Sequence, residues 1–223
     1  VSTGVKENFV EEMGFSSQNL SVIVNGTCLK TQDEKREKKN GKFRFVCVGT
    51  IGSQKNQLFL LKAVTLLPEN IRQKIHIDFL GMDKTDGEFD KTIRTYGLSS
   101  ICKNCGFISP DKIGDFLSDA DGNVMVSLGE AFGLSVIEGF QYGIPTLTYV
   151  DVCASKDFFS KDAVMLINRS NPKALADAMC EFISKDWNRD RIKEWGRKFQ
   201  LSGISDMYID LYKKIRMAEH GSK

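Results

Sequence analysis

The chain is expected to fold as an α/β domain with a doubly wound, mostly parallel sheet and a helical tail. Three observations lead there. Short β-branched or alternating apolar runs recur along the 223 residues. Segments with helical spacing, about ten to fifteen residues long, separate them. Several strands, "NVMVSL" (123–128) above all, are apolar almost without a break, as strands covered on both faces are. Strand–helix–strand units of this kind close as right-handed crossovers with parallel pairing.

The elements follow in order. "LSVIVNG" (20–26) is predicted as a short strand ending at Asn25-Gly26. "FRFVCVG" (43–49) is a stronger strand closed by Gly49. Residues 54–68 place apolar side chains at 58, 61, 64 and 67, a helical spacing that Pro68 ends. "KIHIDFLG" (74–81) alternates as a strand, and 87–98 forms a weakly amphipathic helix. "SICKNCGF" gives another strand. Ser109-Pro110 is an N-cap and first-turn pair, so a helix follows. The strand at 123–128 leads into the helix "GLSVIEGFQYG", with Gly143 as its C′ residue. "PTLTYV" and "AVMLIN" (163–168) are strands. Asn171 and Pro172 start a helix, and two more span about 188–201 and 203–218. The architecture is Rossmann-like, and ligands bind such sheets at the strands' carboxyl ends. That rule singles out the loops at 49–55, 81–87, 105–109 and 127–134.

Bulk properties limit the function classes. The length supports one substantial core and not two large domains, so 1–223 is taken as a single domain. A net charge of +2 predicts no nucleic-acid footprint. The charge run at 30–44 mixes both signs around Asn40-Gly41, so residues 30–42 are expected to be a solvated loop. The same mixture argues against an anionic membrane patch. No run reaches the roughly twenty apolar residues of a membrane span. No signal peptide opens the chain. Cys102 and Cys105 form the one C-x-x-C, and positions three apart on a strand face opposite sides. With His76 and His220 standing alone, no zinc site is expected, and the cysteines suit a cytosolic protein. "DAD" (119–121) precedes a strand, at the wrong end for the ligand crevice.

Chemistry gathers around "GEAFGLSVIEGFQYGIP" (129–145). Gly133 lies where strand gives way to helix, and a helix N-terminus offers free N–H donors and partial positive charge. Residues 132–135 are therefore a candidate anion cradle. Lys55, at the start of another post-strand helix, reaches the same space if the two strands are neighbours. Glu130 and Glu138 flank the cradle. A carboxylate beside a diphosphate does not attract it, but it accepts hydrogen bonds from vicinal diols, of a sugar on one side and a ribose on the other. Taken singly, Glu130 also fits a solvated first-turn acid, Glu138 a surface glutamate, and Lys55 an exposed helix residue.

Together these residues resemble the C-terminal, donor-binding domain of GT-B glycosyltransferases, family 4 or "group 1". "EAFGLSVIE" matches the family's E-x7-E signature with Phe-Gly-Leu inside, and "YGIPTLT" its G-x-P strand. Softer matches are "VSTGVKENFVEEMGF…LSVIVNG", "FVCVGTIGSQKN", "CGFISPDKIGDFLSDADGNVMVS" and "NPKALADAM". The resemblance implies retaining transfer of a hexose from a nucleotide diphosphate sugar, UDP- or GDP-linked, to a glycan or glycolipid, with no metal or other cofactor. It assigns Glu130 to the sugar hydroxyls and Lys55 to the departing diphosphate. It places Gly49 and Thr50 in the phosphate loop, Phe132, Gly133 and Leu134 amides on the phosphates, Glu138 on the ribose, and Gly106 and Phe107 around the base. It further implies a chain cut from a longer cytoplasmic protein, possessing an N-terminal acceptor domain to which the 203–218 helix returns, with peripheral association at the inner membrane face. The chain alone is then expected to bind donor and turn over little.

The sequence departs from the family at three places. Thr50 stands where an arginine is usual, and a bidentate phosphate clamp is not replaced by a hydroxyl. "DVCASKDFF" replaces the usual Gly-Gly and Glu, with Lys156 weighed as a substitute cation. Thr27-Cys28 replaces the Asp after Asn-Gly. Thr50 keeps a second class open, a non-catalytic nucleotide-sugar-binding module. A sugar-nucleotide epimerase on the same fold is a third.

Overall fold

The computed structural model describes residues 1–28 and 41–220, with side chains to 217. The solvated loop expected at 30–42 lies almost wholly outside the described residues. In order, the elements are α1 (Thr3–Glu11), β1 (Phe43–Val48), α2 (Gln57–Thr65), α3 (Glu69–Arg72), β2 (Ile75–Leu80), α4 (Glu88–Thr95) and β3 (Cys102–Asn104). They continue with α5 (Pro110–Asp119), β4 (Gly122–Met125), α6 (Leu134–Gln141), β5 (Thr146–Tyr149) and α7 (Ser155–Phe158). β6 (Val164–Ile167), α8 (Pro172–Ser184), α9 (Arg189–Gly196) and α10 (Leu201–His220) complete the chain.

The six strands form one sheet of order β3-β2-β1-β4-β5-β6, and every pairing is parallel. This is the doubly wound, Rossmann-like fold that the apolar runs predict. β4 and β5 are buried at every residue, so they lie between two helical layers. Alternation along β1 sends Phe43, Phe45 and Cys47 into a core with α2 and α8, where the Phe43, Phe45 and Phe182 rings pack together. It sends Val46 and Val48 to the opposite face, against Leu117 and Phe116 of α5.

The expected strand at 20–26 is not part of the sheet. The β-branched residues there join no ladder, and the chain just beyond them pairs elsewhere. Thr27 bonds the junction before α10, its N to Phe199 O (2.9 Å) and its O from Leu201 N (3.1 Å). Helix α2 begins at Gln57 rather than 54, because Asn56 takes a left-handed conformation (φ 59°). Ser109 occupies the N-cap position of α5 without a side-chain cap, whereas Asn171 Oδ1 accepts from Ala174 N (3.0 Å) as expected.

Cys102 packs in one core and Cys105 against the other, on opposite faces as their spacing requires. Burial pushes the thiols up, to about 12 for Cys102 and about 11 for Cys105, and all six cysteines are free. Among the described residues no three His, Cys, Asp or Glu side chains gather as metal ligands. Asp121 accepts from Arg44 N (3.0 Å) just before β4, so the "DAD" acid serves the amino-terminal end of the sheet. No described helix is long and apolar enough to cross a membrane.

Candidate functional site

β1 and β4 are neighbours where the strand order reverses, and their carboxyl ends diverge into two loops. An open α/β sheet leaves a crevice at such a point. A cleft of about 390 Å³ lies there. Gly49 and Lys55 line it from the β1 side, and residues 130–135 and Glu138 from the β4 side.

The loop after β4 is held by its carbonyls. Arg169 Nη2 donates to Ser127 O (2.7 Å), Gln54 Nε2 to Gly129 O (3.4 Å), Cys153 N to Glu130 O (3.2 Å) and Ser2 Oγ to Ala131 O (2.7 Å). Arg169 is itself fixed over the Tyr149 ring and by Asp151. These donors come from four separate parts of the chain. They satisfy the outward carbonyls and leave the next amides free: those of Phe132, Gly133, Leu134 and Ser135 donate to no described residue. Gly133 caps α6 with φ 90°, a conformation that favours glycine. A Cβ there would also stand only 3.0 Å from Met125 Cε. The result is a row of unused N–H groups at a helix N-terminus, facing a cleft.

The β1 side is equally constrained. Gly49, Gly81 and Gly106 follow β1, β2 and β3 side by side. Gly81 N donates to Gly106 O (2.8 Å), and a Cβ on Gly81 would lie 2.1 Å from Gly49 O, so the shelf closes only with glycine there. Gln57 is buried beneath the loop, with Oε1 accepting from Gly52 N (3.2 Å) and Nε2 donating to Thr50 O (3.1 Å). Lys55 stands in the turn before α2, not in the helix. Its stem lies over Gly49, and its ammonium pairs with Glu130 across the cleft. Both groups remain partly open to solvent, 29% for Lys55 and 16% for Glu130.

Glu138 projects from the second turn of α6 into the same cleft. Its carboxylate accepts no hydrogen bond from a described residue, and burial holds its pKa above the ordinary carboxylate range. An ionisable group kept half-buried and unpaired in a cleft is a candidate for ligand contact.

Gly49, Lys55, Glu130, Phe132, Gly133, Leu134 and Glu138 therefore share one cleft. Thr50 lines an adjoining pocket of about 350 Å³ instead. Gly106 borders the shelf, and Phe107 is largely exposed (69%); neither lines the cleft, although Ile113 of α5 does. Lys156 is not near it: it pairs with Glu7 (2.8 Å) and ties α7 to α1. Sequence reasoning missed Ser2, Gln54, Gln57 and Arg169. Ser2 had a signal in the leading Val-Ser pair. The others act through tertiary contacts that no local pattern announces.

A family model for glycosyl transferases group 1 matches residues 30–199, most of the chain. A curated Klebsiella pneumoniae relative, an uncharacterized 41.2 kDa protein in the cps region, is 22% identical over 91% of this chain and 57% of its own length. The lipopolysaccharide outer core galactosyltransferase WaaB shares the fold, with a TM-score of 0.77 at 20% identity over 96% of this chain and 60% of its own. A Rickettsia africae glycosyltransferase gives 0.80 at 18%, over 96% and 62%. Anabaena HepE, solved in complex with UDP and glucose, gives 0.67 at 16%, over 78% and 49%. This chain thus spans about half to three fifths of these relatives, whose shared fold is the Rossmann-like one of GT-B enzymes. With the family model covering residues 30–199, the chain belongs to the group 1 glycosyltransferases.

Proposed function

We propose that this chain is the donor-binding part of a retaining, metal-independent glycosyltransferase. It moves a hexose from a nucleotide diphosphate sugar to a glycan or glycolipid acceptor. One observation carries the reading: the free amides at 132–135, the Lys55–Glu130 pair and the unpartnered Glu138 converge on a single cleft. The amides and the α6 dipole seat the phosphates. Lys55 has three donors, enough to hold Glu130 and a phosphate oxygen together. As the bond to the sugar breaks, charge grows on the departing diphosphate. Fixed donors aimed at that charge lower the barrier without reorganising. Glu130 accepts from sugar hydroxyls, and Glu138 from the ribose diol. A lysine and a helix terminus then supply the positive charge that a divalent cation supplies in other sites.

The HepE complex supports a nucleotide ligand, UDP being bound in that protein. The cps-region relative supports a role in polysaccharide assembly. The acceptor site belongs to an N-terminal part that this chain does not include. Helix α10 fits a return toward it, since Tyr208, Ile209, Tyr212 and Ile215 are exposed along its length. The second reading, a nucleotide-sugar-binding module without transfer, is favoured by Thr50, which brings no guanidinium to the phosphate loop.

The test is calorimetry of the chain with UDP-, GDP- and ADP-sugars. One nucleotide class is expected to bind, with Kd in the micromolar to millimolar range, roughly −4 to −8 kcal/mol. Absence of binding by all three classes overturns the reading.

A further inference from the structure

The loop after β2 brings a second lysine to the phosphate side of the cleft. We propose that Lys84, together with Thr50 and Ser53, forms a subsite for the distal phosphate of a nucleoside diphosphate, the one bonded to the sugar. This deepens the proposed function and rests on it.

The two post-strand loops are clamped together. Ile51 N donates to Met82 O (2.9 Å) and Lys84 N to Ile51 O (3.0 Å), so Ile51 and Asp83 form a parallel bridge beyond the strand ends. Lys84 is thereby held next to Thr50. The two share a pocket of about 350 Å³ with Gly52, Ser53, Gln54 and Lys55. Lys55 lines both this pocket and the main cleft, so its side chain borders both spaces.

The charges in this pocket are unbalanced. No acid lines it. Asp83, the nearest acid in sequence, is turned to its own loop, where Oδ1 accepts from Thr85 N (2.8 Å) and Thr85 Oγ1 (2.7 Å). Lys55 is already countered by Glu130. Lys84 is exposed and pairs with no described acid. Two ammonium groups, two hydroxyls and no carboxylate make an anion site. A diphosphate brings more negative charge than a lysine shared with a glutamate and one helix terminus can offset. Lys84 supplies the remainder, from the side where Thr50 offers only a hydroxyl.

The experiment measures Kd for UDP, UMP, GDP, GMP, ADP and AMP with the wild-type chain, Lys84→Gln, and Lys84→Gln combined with Thr50→Arg. The diphosphate that binds is expected to weaken roughly five- to tenfold in Lys84→Gln, as for a solvent-facing charge-assisted contact, and less at high salt. The matching monophosphate changes by less than about twofold. Thr50→Arg, placing a guanidinium in the same pocket, restores most of the loss. Equal weakening of di- and monophosphate, or no weakening, overturns the subsite while leaving the nucleotide reading intact. Failure of the wild-type chain to bind any of the three diphosphates overturns both.

Discussion

Replacing Lys55 with alanine is expected to weaken nucleoside diphosphate binding by about a hundredfold. Two effects add. The direct contact to the phosphates is lost. Glu130, now without its countercharge, faces the diphosphate as a like charge. A double-mutant cycle separates them: Glu130→Gln on the Lys55→Ala background recovers the repulsive part and leaves the attractive part lost. If the chain works within a two-domain transferase as proposed, transfer is expected to fall further, by roughly 10²–10³, because the stabilised charge is largest in the transition state. Calorimetry of the single and double variants checks the first claim. Unchanged diphosphate affinity in Lys55→Ala would remove Lys55 from the site.

Glu138→Gln is expected to move stability and binding in opposite directions. Burial raises the Glu138 pKa, so the folded state disfavours the ionised form. A raised folded pKa means stability that is present below the unfolded pKa and lost as pH rises through the folded one. At neutral pH the wild type therefore carries a desolvation penalty that glutamine avoids. The variant's Tm should exceed the wild type's at neutral pH, with the gap closing as pH falls below the ordinary carboxylate range. Binding goes the other way. A carboxylate accepts both hydroxyls of a ribose diol, whereas an amide offers one acceptor and misplaces a donor. Affinity for the ribonucleotide should fall by roughly ten- to a hundredfold, and the preference for ribose over 2′-deoxyribose should shrink with it. Stability sacrificed at a working site is a common trade. A lower Tm at neutral pH, or an unchanged ribose preference, would show that Glu138 is an ordinary structural acid.

Periodicity found the layers of this fold and missed their edges. All six strands and most helices follow from apolar spacing and from cap residues such as Asn171, because those signals are local. The run "LSVIVNG" carries the same local signal and still forms no ladder. The run ends beside the α10 junction, which Thr27 bonds, and only that tertiary contact distinguishes the place from a sheet edge. Strand order is likewise invisible locally, yet it decides the site. Only the β1–β4 adjacency turns Lys55 and Glu130, far apart in sequence, into a pair. The Glu130 and Glu138 spacing was legible because one lies just before a helix and the other on its second turn, so both face the same end. Gln57, a residue type normally at the surface, gave no sign that it would be buried beneath the loop after β1. Lys84 gave none either, since its role depends on a bridge between loops more than thirty positions apart in sequence.

A crystal structure of the chain with the nucleoside diphosphate that binds it tests the central claim most directly. Phosphate oxygens are expected within hydrogen-bond distance of the amides at 133–135 and of Lys55, with the ribose hydroxyls on Glu138. A diphosphate seated away from the β1–β4 crevice, or a ribose directed away from Glu138, would contradict it.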